Sequence, residues 1–170
     1  MTFGFFEAVK HEFVAFMNEM KAKGVFPEFL PERVVIAPLS EEAYTEITKQ
    51  GSSHFVIGAL VSTSEVLDTG FMSLSNATVH IGHIRKARSM GDTLERTAAA
   101  WRDSTKIYDG FRDWINERGC ELSADSEDGG KWRYSAAIGE MQFLHYDPRF
   151  IGKGLIISYI KIPMTCTNGC

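Results

Sequence analysis

The run His54-Phe-Val-Ile-Gly-Ala-Leu-Val61 limits the fold of this chain more than any other stretch. It is rich in β-branched residues, is introduced by Gly51-Ser-Ser53, and reads as a central strand. A second run, Thr78-Val-His-Ile-Gly-His-Ile84, alternates well enough to be its partner. The stretch between them, Ser62 to Asn76, is long for a hairpin connection and holds Asp68-Thr-Gly70, so residues 62–76 read as a projecting β-arm or mobile loop.

Helical periodicity flanks these strands. Phe6, Val9, Phe13, Phe16, Met17 and Met20 recur at three- and four-residue steps, which places them on one face of an N-terminal helix ending before Gly24 and Pro27. That stripe is core or a subunit contact. Pro27 and Pro31 bracket a connector, and Arg33 to Ala37 reads as a short strand stopped by Pro38. Ser40 to Gln50 is polar, with Tyr44 and Ile47 three apart, and fits either a short helix capped by Ser40 or a long loop. Ser89-Met-Gly-Asp92 has the form of a capping box. Leu94, Ala98, Trp101, Thr105, Tyr108, Phe111 and Ile115 follow it at helical spacing as far as Gly119. Gly110 inside this main helix costs about 1 kcal/mol relative to Ala, which predicts a kink or a close approach by a neighbour.

Downstream, Glu121 to Gly130 is acidic and glycine-ended, a solvated loop by composition. Tyr134 to Tyr146 and Leu155 to Ile162 read as two last strands joined through residues 147–154, and residues 164–170 as a flexible C-terminal tail. The expected fold is a single α+β domain over residues 1–170. Its sheet is mixed, mainly antiparallel, of four to five strands, with the N-terminal helix and the long helix packed on one face.

At 170 residues the chain has the length of one ordinary domain, and its 44% apolar and 24% charged shares support neither a disordered nor a membrane-embedded reading. A net charge of -4 gives no general attraction to nucleic acid or acidic lipid, so any such contact needs a local patch. No apolar run approaches the length of a membrane span. The opening Met1-Thr-Phe3 lacks the succession of a secretory signal, which makes a reducing cytoplasm the expected place of synthesis. Cys120, Cys166 and Cys170 lack the number and spacing of a zinc site, and neither a metal nor a cofactor is expected.

Candidate chemistry is sparse. His80 and His83 would share a helix face but point to opposite faces of a strand, and their Val, Ile and Thr neighbours favour the strand and ordinary sheet-surface histidines. His11, His54 and His145 stand alone, each expected to be solvated or satisfied by a backbone group. Gly152-Lys-Gly154 lacks the upstream glycine and following helix of a phosphate loop, and no nucleophile elbow or zinc-protease motif occurs. Asp125, Glu127 and Asp128 lack the alternate spacing and closing glutamate of a calcium loop. Arg85-Lys-Ala-Arg88 is the one tight basic cluster, a solvated strand end or a surface for phosphate or an acidic partner.

The layout resembles the tail-terminator or tail-completion proteins of tailed bacteriophages. The pieces that carry it are the opening helix Phe5 to Met20, the strand His54 to Val61, and the strand Thr78 to Ile84 running through Arg85-Lys86 into the helix Thr93 to Arg118. Ala136 to His145 and Gly154 to Ile162 complete it. The resemblance implies a structural virion protein and no enzyme. Such a protein forms a homo-oligomeric ring, commonly a hexamer, at the head-tail neck, with the tail tube protein and head-tail connector proteins as partners and non-specific contact with passing DNA. Head-tail adaptor or stopper is a neighbouring role.

In that frame Arg85, Lys86 and Arg88 are candidates to face the channel or a neighbouring subunit. Glu121, Asp125, Glu127 and Asp128 are the matching acidic interface candidates. The Ser40 to Gln50 segment and the cysteine-containing tail depart from the family pattern. Two alternatives come from other classes: a cytoplasmic protein-binding adaptor, and a small-ligand-binding or enzyme domain built on His80 or His83 with Asp92 or Glu140.

Overall fold

A computed structural model describes residues 4–38, 40–50, 53–58, 64–67, 72–86, 93–125, 131–146 and 155–169. Helix α1 (Gly4–Ala22) leads to β1 (Val34–Ile36), α2 (Glu41–Thr48), β2 (Ser53–Gly58), β3 (Ser64–Leu67) and β4 (Met72–Lys86). Helix α3 (Thr93–Glu117) follows, then β5 (Glu121–Asp125), β6 (Lys131–Ala136), β7 (Gln142–Tyr146) and β8 (Leu155–Gly169). The fold is α+β, as expected.

The axis of the sheet is a ribbon of its two longest strands. β4 and β8 have 15 residues each and pair antiparallel from Met72↔Gly169 to Lys86↔Leu155. On the outer side of β4, β2 pairs with its later half and β3 with its earlier half, both antiparallel. On the outer side of β8, β7 and β6 divide the strand in the same way. β2 and β3 thus share one flank and β6 and β7 the other, and β1, parallel to β2, and β5, antiparallel to β6, add the margins.

The strand count therefore exceeds the expected four to five: β3 and β5 form where an arm and a loop were expected, and the expected Tyr134 to Tyr146 strand is split into β6 and β7. The break at the expected Tyr134 to Tyr146 strand has a visible cause. Pro163 of β8 accepts from the Ala137 amide through its carbonyl, so its missing N–H falls on that same side and offers β6 and β7 no donor. There the chain makes a 3-10 turn at Ile138–Glu140.

Two other expectations are corrected. Residues 164–169 are strand, not a flexible tail, because Met164 to Gly169 complete the β4 ladder. Within the stretch 62–76, expected as a projecting β-arm or mobile loop, the described residues are strand: β3 pairs antiparallel with the start of β4 from Ser64↔Asn76 to Leu67↔Ser73. Glu121–Asp125, expected as the start of a solvated loop, is strand because Leu122 sits opposite Tyr134 and is buried with it. Residues 126–130 lie outside the described residues, as does the capping box at 89–92.

Alternation along the strands splits the core in two. Phe55, Ile57, Val79, Ile81, Ile160 and Ile162 face α1 and α3, while Val56, Ile84, Ile157 and Tyr159 face the other way, toward Tyr44 and Ile47 of α2. The two long helices share one face as expected. The Ser40 to Gln50 segment supplies a third helix, on the opposite face, and Ser40 caps it by accepting the Ala43 amide at 3.2 Å.

The predicted α1 stripe is core: Val9, Phe13, Phe16 and Met17 are buried. Phe13 meets Phe55 and Phe111 edge-on at 4.9 and 5.1 Å, which joins α1, sheet and α3 in one cluster. Gly110 marks a close approach of the two helices, since a Cβ there would lie 2.9 Å from Phe16 Cζ. Gly110→Ala should therefore lose about 1 kcal/mol net in urea unfolding, the overpacking outweighing the gain in helix propensity. A more stable variant would show that the two helices do not meet there.

Candidate functional site

The chemistry-bearing side chains gather where α3 lies on the sheet, and they follow from strand register. His83, Ser158 and His145 stand side by side across β4, β8 and β7, on the face that α3 covers. The first half of α3 lays Trp101, Asp103, Ser104 and Thr105 over this row, while its second half presents Ile107, Phe111 and Ile115 with Tyr108 at the border. One helix thus covers a polar seam at one end and an apolar core at the other.

Each histidine of the seam links the sheet to the helix. His83 bonds Ser53 of β2 through Nε2 at 3.0 Å and Ser104 of α3 through Nδ1 at 2.9 Å. His145 bonds Ser158 of β8 through Nδ1 at 2.9 Å and Thr105 of α3 through Nε2 at 3.1 Å. The Thr105 hydroxyl donates to the Trp101 carbonyl at 2.8 Å, so toward His145 its oxygen accepts. That fixes His145 as the Nε2–H tautomer, with Nδ1 accepting from Ser158. Trp101 stacks on the same ring at 5.5 Å. Beside them, the Tyr108 hydroxyl is shared between the carbonyls of Ile81 at 2.9 Å and Ser158 at 2.8 Å, so the helix also grips the ribbon backbone.

Electrostatics hold both imidazoles neutral. Burial pushes the His83 pKa well below the usual value and the neighbouring Arg85 adds to that, while burial also lowers His145. The Arg85 fork lies against the His83 ring, Nε 3.0 Å from Nε2 and Nη2 2.9 Å from Nδ1. Phe55 stacks on that ring at 4.2 Å. Burial lowers the Arg85 pKa, opposed by Asp103, whose carboxylate lies 3.5 Å away. A neutral imidazole flanked by two hydroxyls serves here as a two-ended connector. Ser104 and Ser158 are each 1% exposed, and a cation rather than a carboxylate accompanies His83, which opposes the imidazolium a general base would form.

The two histidines expected to lie on the sheet surface are buried, and on opposite faces as a strand requires. His80 faces α2, where it meets Tyr159 edge-on at 6.2 Å and neither of its ring nitrogens has a hydrogen-bond partner. His145, expected to be solvated or backbone-bonded, is held by side-chain hydroxyls. His54 is buried on the α2 side, and His11 is exposed. The predicted basic cluster divides: Arg85 turns inward to His83 and Asp103, Lys86 is exposed, and Arg88 lies outside the described residues.

Of the acidic candidates, Glu121 is exposed on β5, Asp125 ends that strand opposite Lys131, and Glu127 and Asp128 lie outside the described residues. Glu140 is exposed on the 3-10 turn, and Asp92 lies outside the described residues. Among the described residues no group of His, Cys, Asp and Glu is arranged to hold a metal ion, and no helix is long and apolar enough to cross a membrane. Comparison with known protein families and with curated proteins finds no match.

Sequence reading missed the seam because its members are scattered from Ser53 to Ser158. The one available signal was helical spacing, which puts polar Trp101, Thr105 and Tyr108 in the same stripe as Phe111 and Ile115.

Burial, with Lys161 adding to it, lowers the His80 pKa to about 4. The unfolded chain therefore takes up a proton below pH 6.5 that the folded chain refuses, and stability falls as pH drops from 6.5 toward 4. His80→Val should make the stability lost between pH 7.5 and 5, measured by urea unfolding, smaller by about 1 kcal/mol after allowance for solvent screening. An unchanged pH dependence would show that His80 is protonated as easily folded as unfolded.

Proposed function

We propose that this chain is a structural virion protein of a tailed bacteriophage, a subunit of a homo-oligomeric ring at the head-tail neck that terminates or completes the tail and connects it to the head. The observation that carries this reading is the form of the sheet margins. Among the described residues β1 pairs only with β2 and β3 only with β4 on one flank, and β5 only with β6 and β7 only with β8 on the other, so the sheet has two different edges with unpaired ladders. Two unlike edges are what a head-to-tail ring requires, because each subunit offers one surface and accepts the other.

Local features agree with it. Ile36 on β1 is a large apolar side chain left 38% exposed at one margin, and Glu121 is exposed at the other. Lys86 is exposed at the end of the ribbon, available to a neighbour's acidic margin or to passing DNA. Tail tube protein and head-tail connector proteins are the partners this role entails. The family resemblance and the α+β architecture support the same reading.

Light scattering on a sizing column, over a range of protein and salt concentrations, tests the proposal. A mass near six subunits, or a reversible monomer-to-ring equilibrium, is expected. A strict monomer at every condition that also fails to bind purified tail tubes would overturn it and favour the adaptor reading.

A further inference from the structure

We propose that the first half of α3 is an acid-released element: when His83 and His145 take up protons, residues 93–105 part from the sheet while residues 107–117 stay packed. The helix is built for such a division. Its second half is held by Ile107, Phe111 and Ile115 against Phe13 and Phe16, contacts that carry no proton. Its first half is held by adjacent hydroxyls, Ser104 and Thr105, each bonded to an imidazole rooted in the sheet, together with the Trp101 stack on His145 and the half-exposed Arg85–Asp103 ion pair beside His83. Thr97, also buried in this half, has a hydroxyl with no partner, so it adds no polar tie.

Both bridges disfavour an imidazolium. At His83 the second cation would lie against the Arg85 fork. Facing it are Asp103 and the un-ionised Tyr108 on α3 and Glu28 on the connector after α1, while β2 supplies only Ser53 and Phe55. Asp103 is the nearest carboxylate, and it is 55% exposed and already engaged with Arg85. At His145 a proton on Nδ1 meets the Ser158 hydroxyl, which must turn within a site that is 1% exposed, while Thr105 stays committed to the Trp101 carbonyl. Lifting the first half of α3 opens both rings to water and separates His83 from the helix, so acid favours the open form.

Hydrogen exchange followed by mass spectrometry on the intact chain, at pH 7.5 and 5.5 with rates corrected for intrinsic chemistry, tests this. At pH 5.5, peptides from 93–105 should lose protection at least tenfold more than peptides from 107–117. The doubly substituted His83→Gln, His145→Gln chain, which keeps donors and acceptors but cannot be protonated, should lose that pH response. In case the double variant fails to fold, the wild-type His145 ring is titrated by NMR, and its midpoint should coincide with the loss of protection over 93–105. Equal loss over both halves, a pH response that survives in the folded double variant, or a His145 midpoint that does not coincide overturns the proposal.

Discussion

The antiparallel ladder between β4 and β8 is the constraint on which the rest of the structure depends. It joins two 15-residue strands without interruption, and every other strand except β1 and β5 pairs directly with one of the two. Its side chains are buried on both faces, Val79, Ile81, Ile160 and Ile162 toward the long helices and Ile84, Ile157 and Tyr159 toward α2. A one-residue slip would exchange these sets and turn His80 toward α3 and His83 toward α2. The register thus fixes both the core and the seam.

From that register the organisation of α3 follows. Placing His83, Ser158 and His145 in one row gives the helix something polar to meet at one end, and the Phe13 cluster gives it an apolar anchor at the other. Each seam imidazole is satisfied between two hydroxyls, while the Trp101 Nε1–H beside them has no partner among the described residues. On the opposite face the Tyr44 and Tyr159 hydroxyls bond one another across α2 and β8, and Tyr159 lies over Gly82, where a Cβ would come within 2.8 Å of its ring. The proposed assembly role would use none of this interior chemistry and would draw on the margins that the ribbon leaves open.

How much was legible in the sequence depended on range. The α1 stripe, the β2 and β4 strands as partners, the extent of α3 and the close approach at Gly110 were all readable, because each rests on local periodicity or a single residue type. The breaks were harder: Pro163 disrupts a partner strand rather than its own, so its effect at Ala137 appears only once register is known. Leu122 alone could not mark β5 within an acidic stretch, and the third helix was ambiguous until Tyr44 and Ile47 were seen to cover Val56 and Ile84. The seam was illegible for the same reason, since Ser53, His83, His145 and Ser158 become neighbours only through three strand pairings, and Ser104 joins them only when α3 docks on the sheet.

Native-state hydrogen exchange at neutral pH, resolved to single amides, tests the primacy of the ribbon most directly. If the β4–β8 ladder is the constraint that the rest depends on, amides in 79–84 and 157–162 exchange last and only through global unfolding, with β1 and β5 opening earlier. Slowest exchange in α1 or α3, with the ribbon opening below the global free energy, would contradict the account.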